Sequence, residues 1–179
     1  MTNFVEVASE LSFPEGPVAL PDGSVVVVEM MKQCITRIMP DATKQVVAEI
    51  DGGPNGLALG PDGALYLCNN GGSFSKRIHN GLTYPGPFDP DLYIGGRIQR
   101  VDLNTGEVTD LYTQCDGRKL RGPNDIVFDK QGGMWLTDHG IRHDRDFDLT
   151  GIYYAKTDGS MIREVIFPCQ APNGIGLSP

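Results

Sequence analysis

The sequence predicts an all-β protein, and within that class a β-propeller, on three observations. A short phrase, Pro followed by Glu or Asn and then Gly or Asp, recurs at Pro14, Pro54, Pro123 and Pro172, at spacings of 40, 69 and 49 residues. Each copy leads into a short apolar run, and nowhere is a helical period sustained over a helix's length. Finally, the 179 residues include 23 glycines and 13 prolines, the turn chemistry that many short strands require. A repeat of roughly 40 to 50 residues with four short strands in each unit describes a propeller blade.

The first unit, 11–50, opens on FPEGPVAL, turns at Asp22-Gly23 and continues as SVVVVE. The second, 51–120, repeats this with GGPNGLALG, a turn at Asp62-Gly63 and ALYLCN, and adds two strands in GRIQRVDL and GEVTDLYT. An insertion over 71–95 interrupts it; rich in Gly, Pro and aromatics, it reads as a long loop over one face, where propellers bind ligands. The third unit, 121–170, runs from RGPNDIVF through Gln131-Gly132-Gly133 to MWLTD, GIYYAKT and SMIREVIF. The closing APNGIGLSP, 171–179, reads as the opening strand of a fourth blade. Three blades and a strand do not close a ring of about 4 to 8 blades and would leave unpaired edges. The chain is therefore expected to belong to a longer polypeptide.

Composition narrows the partners. The formal net charge is −8, with a pI near 4.7, so the surface repels phosphate backbones and nucleic acid is an unsuitable partner. Divalent cations and neutral or weakly charged small molecules fit better. No apolar stretch approaches the roughly 20 residues needed to span a bilayer, so no membrane partner is expected. MTNFVEVASEL lacks the basic and apolar regions of a signal peptide, which points to a cytoplasmic protein. Cys34, Cys68, Cys115 and Cys169 form no CxxC and are expected as reduced thiols on or beside strands, with a disulfide pair as the alternative.

Because each phrase precedes the innermost strand of its blade, its variable residue should lie near the central channel. That residue is Glu15, Asn55, Asn124 and Asn173 in turn. Turn chemistry is the competing explanation, since Asn and Gly tolerate left-handed backbone and Pro restricts the residue before it. One carboxylate and several amide oxygens converging on an axis would suit Ca²⁺, Mg²⁺ or Mn²⁺, with Zn²⁺ a further possibility. Asn55 reads more as a turn residue lining the channel than as a ligand. Asp125 could join the site or cap the turn, Asp138 could hold a loop or face the channel, and Asn69 and Asn70 could meet a ligand or start the loop. His139 and His143 stand four apart, but Gly140 between them argues for a loop rather than a zinc-binding helix. Neither a nucleotide-binding glycine motif nor a Gly-x-Ser-x-Gly elbow occurs.

Taken as an ordered set, FPEGPVALPDGS, PNGLALGPDGALYLCNNGG, GPNDIVFDKQGGMWLTDHG and APNGIGLSP resemble the N-terminal portion of the SMP-30/gluconolactonase/LRE-like family of six-bladed propellers, within the calcium-dependent phosphotriesterase superfamily. The resemblance runs through nearly the whole chain. It implies one divalent cation at the top of the channel, Ca²⁺ foremost, with Glu15 and Asn173 as ligands and Asn124 as a ligand or substrate contact. It places the remaining ligand, an Asp that is also the expected base, beyond Pro179. The implied activity is a lactonase that opens sugar-derived lactones through a polarised carbonyl and an activated water. Asn55, Asn124, Asp125 and Arg121 are expected substrate contacts, Arg121 reaching an acidic sugar lactone. The rival readings are a non-catalytic binding propeller and a phosphotriesterase-like or strictosidine-synthase-like enzyme.

Overall fold

The computed structural model describes residues 4–178, in which the chain forms sixteen strands and no helix. Blade one is the antiparallel sheet β1 (Pro14–Ala19), β2 (Val25–Glu29), β3 (Cys34–Ile38) and β4 (Lys44–Glu49), paired in that order. Blade two begins with β5 (Pro54–Leu59) and β6 (Leu65–Asn69). The chain then leaves the sheet to form a hairpin, β7 (Lys76–His79) and β8 (Leu82–Pro85), and returns as β9 (Arg97–Val101) and β10 (Val108–Tyr112). A small hairpin, β11 (Gln114–Cys115) and β12 (Arg118–Lys119), leads to blade three: β13 (Pro123–Phe128), β14 (Met134–Asp138), β15 (Leu149–Ala155) and β16 (Ile162–Gln170). All pairings are antiparallel, and the three four-stranded sheets are propeller blades.

The turn between the first two strands of each blade has the same construction. In blade one Leu20 N donates to Ser24 O at 2.9 Å and Gly23 takes φ 83°. Gly60 with Gly63, and Asp129 with Gly132, repeat the pattern in the other two blades. A glycine that accepts left-handed backbone at the end of the loop keeps the hairpin in register.

The cores lie between blades, which explains the unbroken apolar run of β6. Leu65 and Leu67 face Val26, Val28, Ile35 and Ile50 of blade one, while Tyr66 and Cys68 face Ile126, Met134, Leu136 and Tyr153 of blade three. A strand buried on both faces loses the polar alternation of a half-exposed one. Cys34, Cys68, Cys115 and Cys169 all sit on strands with their sulfurs unbonded to one another.

The inner strands β1, β5 and β13 approach one another at the recurring phrases, and there glycine is required. A Cβ on Gly56 would stand 2.5 Å from Asn124 O and 2.6 Å from Asp125 Cα. One on Gly16 would stand 2.5 Å from Leu57 N and 2.8 Å from Asn55 O. Because these neighbours are backbone atoms within strands, they cannot rotate away. Gly56→Ala is expected to lower unfolding stability by about 3 kcal/mol, read from denaturant midpoints; a loss below about 0.5 kcal/mol would mean that the strands separate freely.

Two expectations need correction. The insertion over 71–95 is not all loop, since it carries the β7–β8 hairpin around Asn80-Gly81, both left-handed with φ 50° and 75°. Residues 171–178 join no sheet. In each blade the inner strand is completed by the strand that follows it, and 171–178 has no such partner among the described residues. The segment is instead held against blade three, with Thr137 Oγ1 donating to Asn173 O at 2.5 Å and Ile175 N donating to Asp125 Oδ2 at 2.9 Å.

Candidate functional site

Every phrase that begins a strand coincides with a break in register. The β1–β2 ladder slips between Glu15 and Val18, β5–β6 between Pro54 and Leu57, and β13–β14 between Pro123 and Ile126. Such bulges turn side chains away from the pleat and are favoured beside functional sites. The recurring phrase and the bulge thus coincide in all three blades, including blade three, where Asp125 replaces the glycine.

The four variable residues meet. Glu15, Asn55, Asn124 and Asn173 line one cavity of about 190 Å³, together with Phe13, Met30, Phe74, Pro85 and His139. Asn55 and Asn124 are only 7% and 8% exposed, yet neither side chain hydrogen-bonds to any other described residue. Their amide atoms are not sealed from solvent but open onto the cavity, where they are available to whatever enters. Asn173 is exposed at the rim.

Glu15 is half-buried and is the one acidic residue lining the cavity. Burial raises its carboxyl above the ordinary carboxylate range, and the charge of Asp125 raises it further, against the pull of the Gly16 N–H. Both raising effects disfavour the anion, and a cation in the cavity would oppose both.

Asp125 and Arg121 do not line this cavity. Asp125 occupies the position that is glycine in the other phrases, and its carboxylate accepts Ile126 N and Ile175 N, both at 2.9 Å. Arg121, expected to contact substrate, donates from Nε to Asp148 Oδ2 at 2.8 Å and lies over the Tyr93 ring at 5.9 Å. It braces one loop against another.

A separate set of polar residues, at the end of the second strand of each blade, holds the loops leading into the phrases. Glu29 accepts Ser12 N at 2.8 Å and Thr36 Oγ1 at 2.6 Å. Asn69 Oδ1 accepts Gly53 N at 2.9 Å and Gly71 N at 2.8 Å, and its Nδ2 donates to Asp51 O at 2.7 Å. Asp138 accepts Arg121 N and Gly122 N, each at 2.7 Å, and Gly140 N at 2.9 Å. Burial pushes the Asp138 carboxyl upward despite those three donors. Asn70 accepts Gly72 N and Ser73 N and so starts the insertion loop. Asn69, Asn70 and Asp138 are therefore loop holders.

His139 borders the cavity edge-on to Phe74, with ring centroids 6.5 Å apart. His143 lies outside it, against Phe88 at 5.3 Å. Among the described residues no three His, Cys, Asp or Glu side chains gather as a metal cluster, so any cation at the axis would depend on amide oxygens as well as Glu15.

Sequence reasoning missed the apolar part of the wall, Phe13, Met30, Phe74 and Pro85. Pro85 ends β8, so the insertion itself reaches the site; the Asn80-Gly81 dipeptide was the available sign of a hairpin there. Phe13 is held left-handed at φ 58°, a conformation disfavoured for so bulky a residue, by its carbonyl's bond from Met30 N at 3.1 Å.

The family described as SMP-30/Gluconolactonase/LRE-like region matches residues 13–179. A gluconolactonase of Zymomonas mobilis is 23% identical over 97% of this chain and 48% of its own length. The lactonase drp35 of Staphylococcus epidermidis is 25% identical over 88% of this chain and 42% of its own. Among solved structures, a gluconolactonase of Xanthomonas campestris superposes with a TM-score of 0.68 at 21% identity, over 92% of this chain and 50% of that one. The chain spans about half the length of the curated relatives it matches.

Proposed function

The chain belongs to the SMP-30/gluconolactonase/LRE-like family, and we propose that the protein is a lactone hydrolase acting on sugar-derived or related lactones at the axial cavity. The observation that carries this reading is the convergence of Glu15, Asn55, Asn124 and Asn173 on one cavity, with the Asn55 and Asn124 amides opening onto it. A scaffold propeller has no use for such groups on its axis. The curated relatives named gluconolactonase and lactonase point to the same chemistry.

The donor set fits one divalent cation held by Glu15, Asn124 and Asn173. All-oxygen ligands favour Ca²⁺, with Mg²⁺, Mn²⁺ and Zn²⁺ as alternatives. When bound, it supplies Lewis acidity at the lactone carbonyl. The remaining work falls to the chain's own groups. Asn55 offers an amide donor and acceptor to a ring hydroxyl, orienting the substrate. Phe13, Met30 and Phe74 exclude water, which strengthens each polar contact inside the cavity.

Dialysis of the full-length protein against a chelator tests this directly. Lactone hydrolysis is expected to fall about 100-fold or more and to return on addition of Ca²⁺, with lactones cleaved in preference to phosphotriesters. Activity indifferent to chelation, or a preference for phosphotriesters, sinks the reading.

A further inference from the structure

Beside the axial cavity lies a larger cleft of about 800 Å³, walled on one side by the insertion and on the other by residues 139–146. The two spaces share Phe74 and His139. The axial cavity alone is smaller than the roughly 300 to 1,000 Å³ of ordinary small-molecule sites, while the cleft falls well within that range.

Aromatic contacts join the two walls of the cleft. Phe88 of the insertion meets His143 edge-on, with centroids 5.3 Å apart at 88°, and Phe74 meets His139 at 6.5 Å and 61°. Pro87 and Ile141 add apolar surface. Arg142, Asp144, Arg145 and Asp146, all exposed, also line the cleft, and their formal charges cancel.

The walls are also tied together. Tyr93, which packs edge-on against Phe88 at 5.6 Å, donates from its hydroxyl to Arg121 O at 2.6 Å. The Arg121 guanidinium donates to Asp148 at 2.8 Å, and Asp148 also accepts Ile141 N at 3.1 Å. A cleft held open by such a chain needs little ordering when a ligand enters, which favours binding.

We infer that the lactones processed at the axial cavity carry a bulky apolar substituent, aliphatic or aromatic, that lies in this cleft. The inference rests on the lactonase reading and names its substrate class: a ring at the axis, with a hydrophobic arm in the cleft against Phe74, Phe88 and Ile141.

The test uses γ-butyrolactone and its γ-phenyl and γ-alkyl derivatives with the full-length protein, and the corresponding lactams as non-hydrolysed ligands. The γ-phenyl compound is expected to exceed the parent at least tenfold in kcat/KM, and each buried methylene of an alkyl arm should add about fourfold. Phe88→Ala should cut the phenyl-to-parent ratio about tenfold, whereas Phe88→Tyr should retain it. His143→Ala, at an exposed position, provides a second reading if Phe88→Ala does not fold. Equal kcat/KM and equal lactam affinity for substituted and unsubstituted rings overturn the inference, as does a Phe88→Ala effect that is the same on both. Should no lactone be hydrolysed while the γ-phenyl lactam still binds in a Phe88-dependent way, the cleft assignment stands and the lactonase reading fails.

Discussion

Glu15→Gln is expected to reduce lactone hydrolysis by about 10²- to 10³-fold, the scale seen when one electrostatic stabiliser is removed from an active site. The substitution preserves the size and shape of the side chain and removes only its charge. Glu15 is the one carboxylate lining the axial cavity, so nothing else described there replaces that charge. Divalent cation affinity, titrated separately, should weaken about a hundredfold, equivalent to roughly 3 kcal/mol. Stability should hardly change, because Glu15 is half-buried at a strand end and Gln can still accept from the neighbouring backbone. A variant that keeps full activity and full cation affinity refutes the assignment. Loss of activity accompanied by a collapse of the melting transition refutes it too, since Glu15 would then be a structural residue.

The second large effect is on stability. Asp138→Ala leaves three backbone N–H groups, those of Arg121, Gly122 and Gly140, without their acceptor in a buried site. Unmet donors cost about 1 to 3 kcal/mol each; with partial relaxation and entry of water the expected loss is about 3 to 5 kcal/mol. Asp138→Asn should cost less, about 1 to 2 kcal/mol. Its oxygen can still serve Gly122 and Gly140, as Asn69 serves Gly53 and Gly71 in blade two, but its amide nitrogen would meet the N–H of Arg121 instead of accepting it.

The pH dependence of the wild type provides a check. Burial raises the folded-state pKa of Asp138, so above the unfolded pKa of about 3.9 the folded state retains a proton that the unfolded chain has released. That contribution is fully present below the unfolded pKa and is lost as pH rises through the folded pKa. Asp138→Asn should flatten that part of the stability profile, measured by denaturant unfolding from about pH 3 upward. Equal stability of the wild type, Asn and Ala forms would show that the loop does not depend on this residue.

The blade pattern was legible because its signals are local. A Pro-x-Gly phrase, a left-handed glycine and a two-sided apolar strand each leave their mark within a few residues. The convergence of Glu15, Asn55, Asn124 and Asn173 on one cavity was legible, since the repeat itself aligns them. What could not be read depended on register or on distant partners. Asn124 and Asp125 are adjacent; one lines the cavity and the other accepts from Ile175 N, and which does which depends on the register shift between Pro123 and Ile126. Asn55 and Asn69 are the same residue type in one blade, yet one amide is unpartnered and the other fully bonded. Arg121 looked available for substrate because Asp148 lies 27 residues away. The β7–β8 hairpin escaped notice despite its Asn-Gly turn, because KRIH is exposed throughout and shows no apolar alternation.

The tie from Tyr93 through Arg121 to Asp148 bears on how such a protein could be re-engineered. A loop that decides specificity invites transplantation between relatives as a module. Here the insertion is anchored to a backbone carbonyl in the next blade, and that residue is itself fixed by a carboxylate further along. A graft of 71–95 alone would arrive without its moorings. The unit that must travel together is the insertion, Arg121 and the 139–148 loop, three segments that the chain order keeps apart.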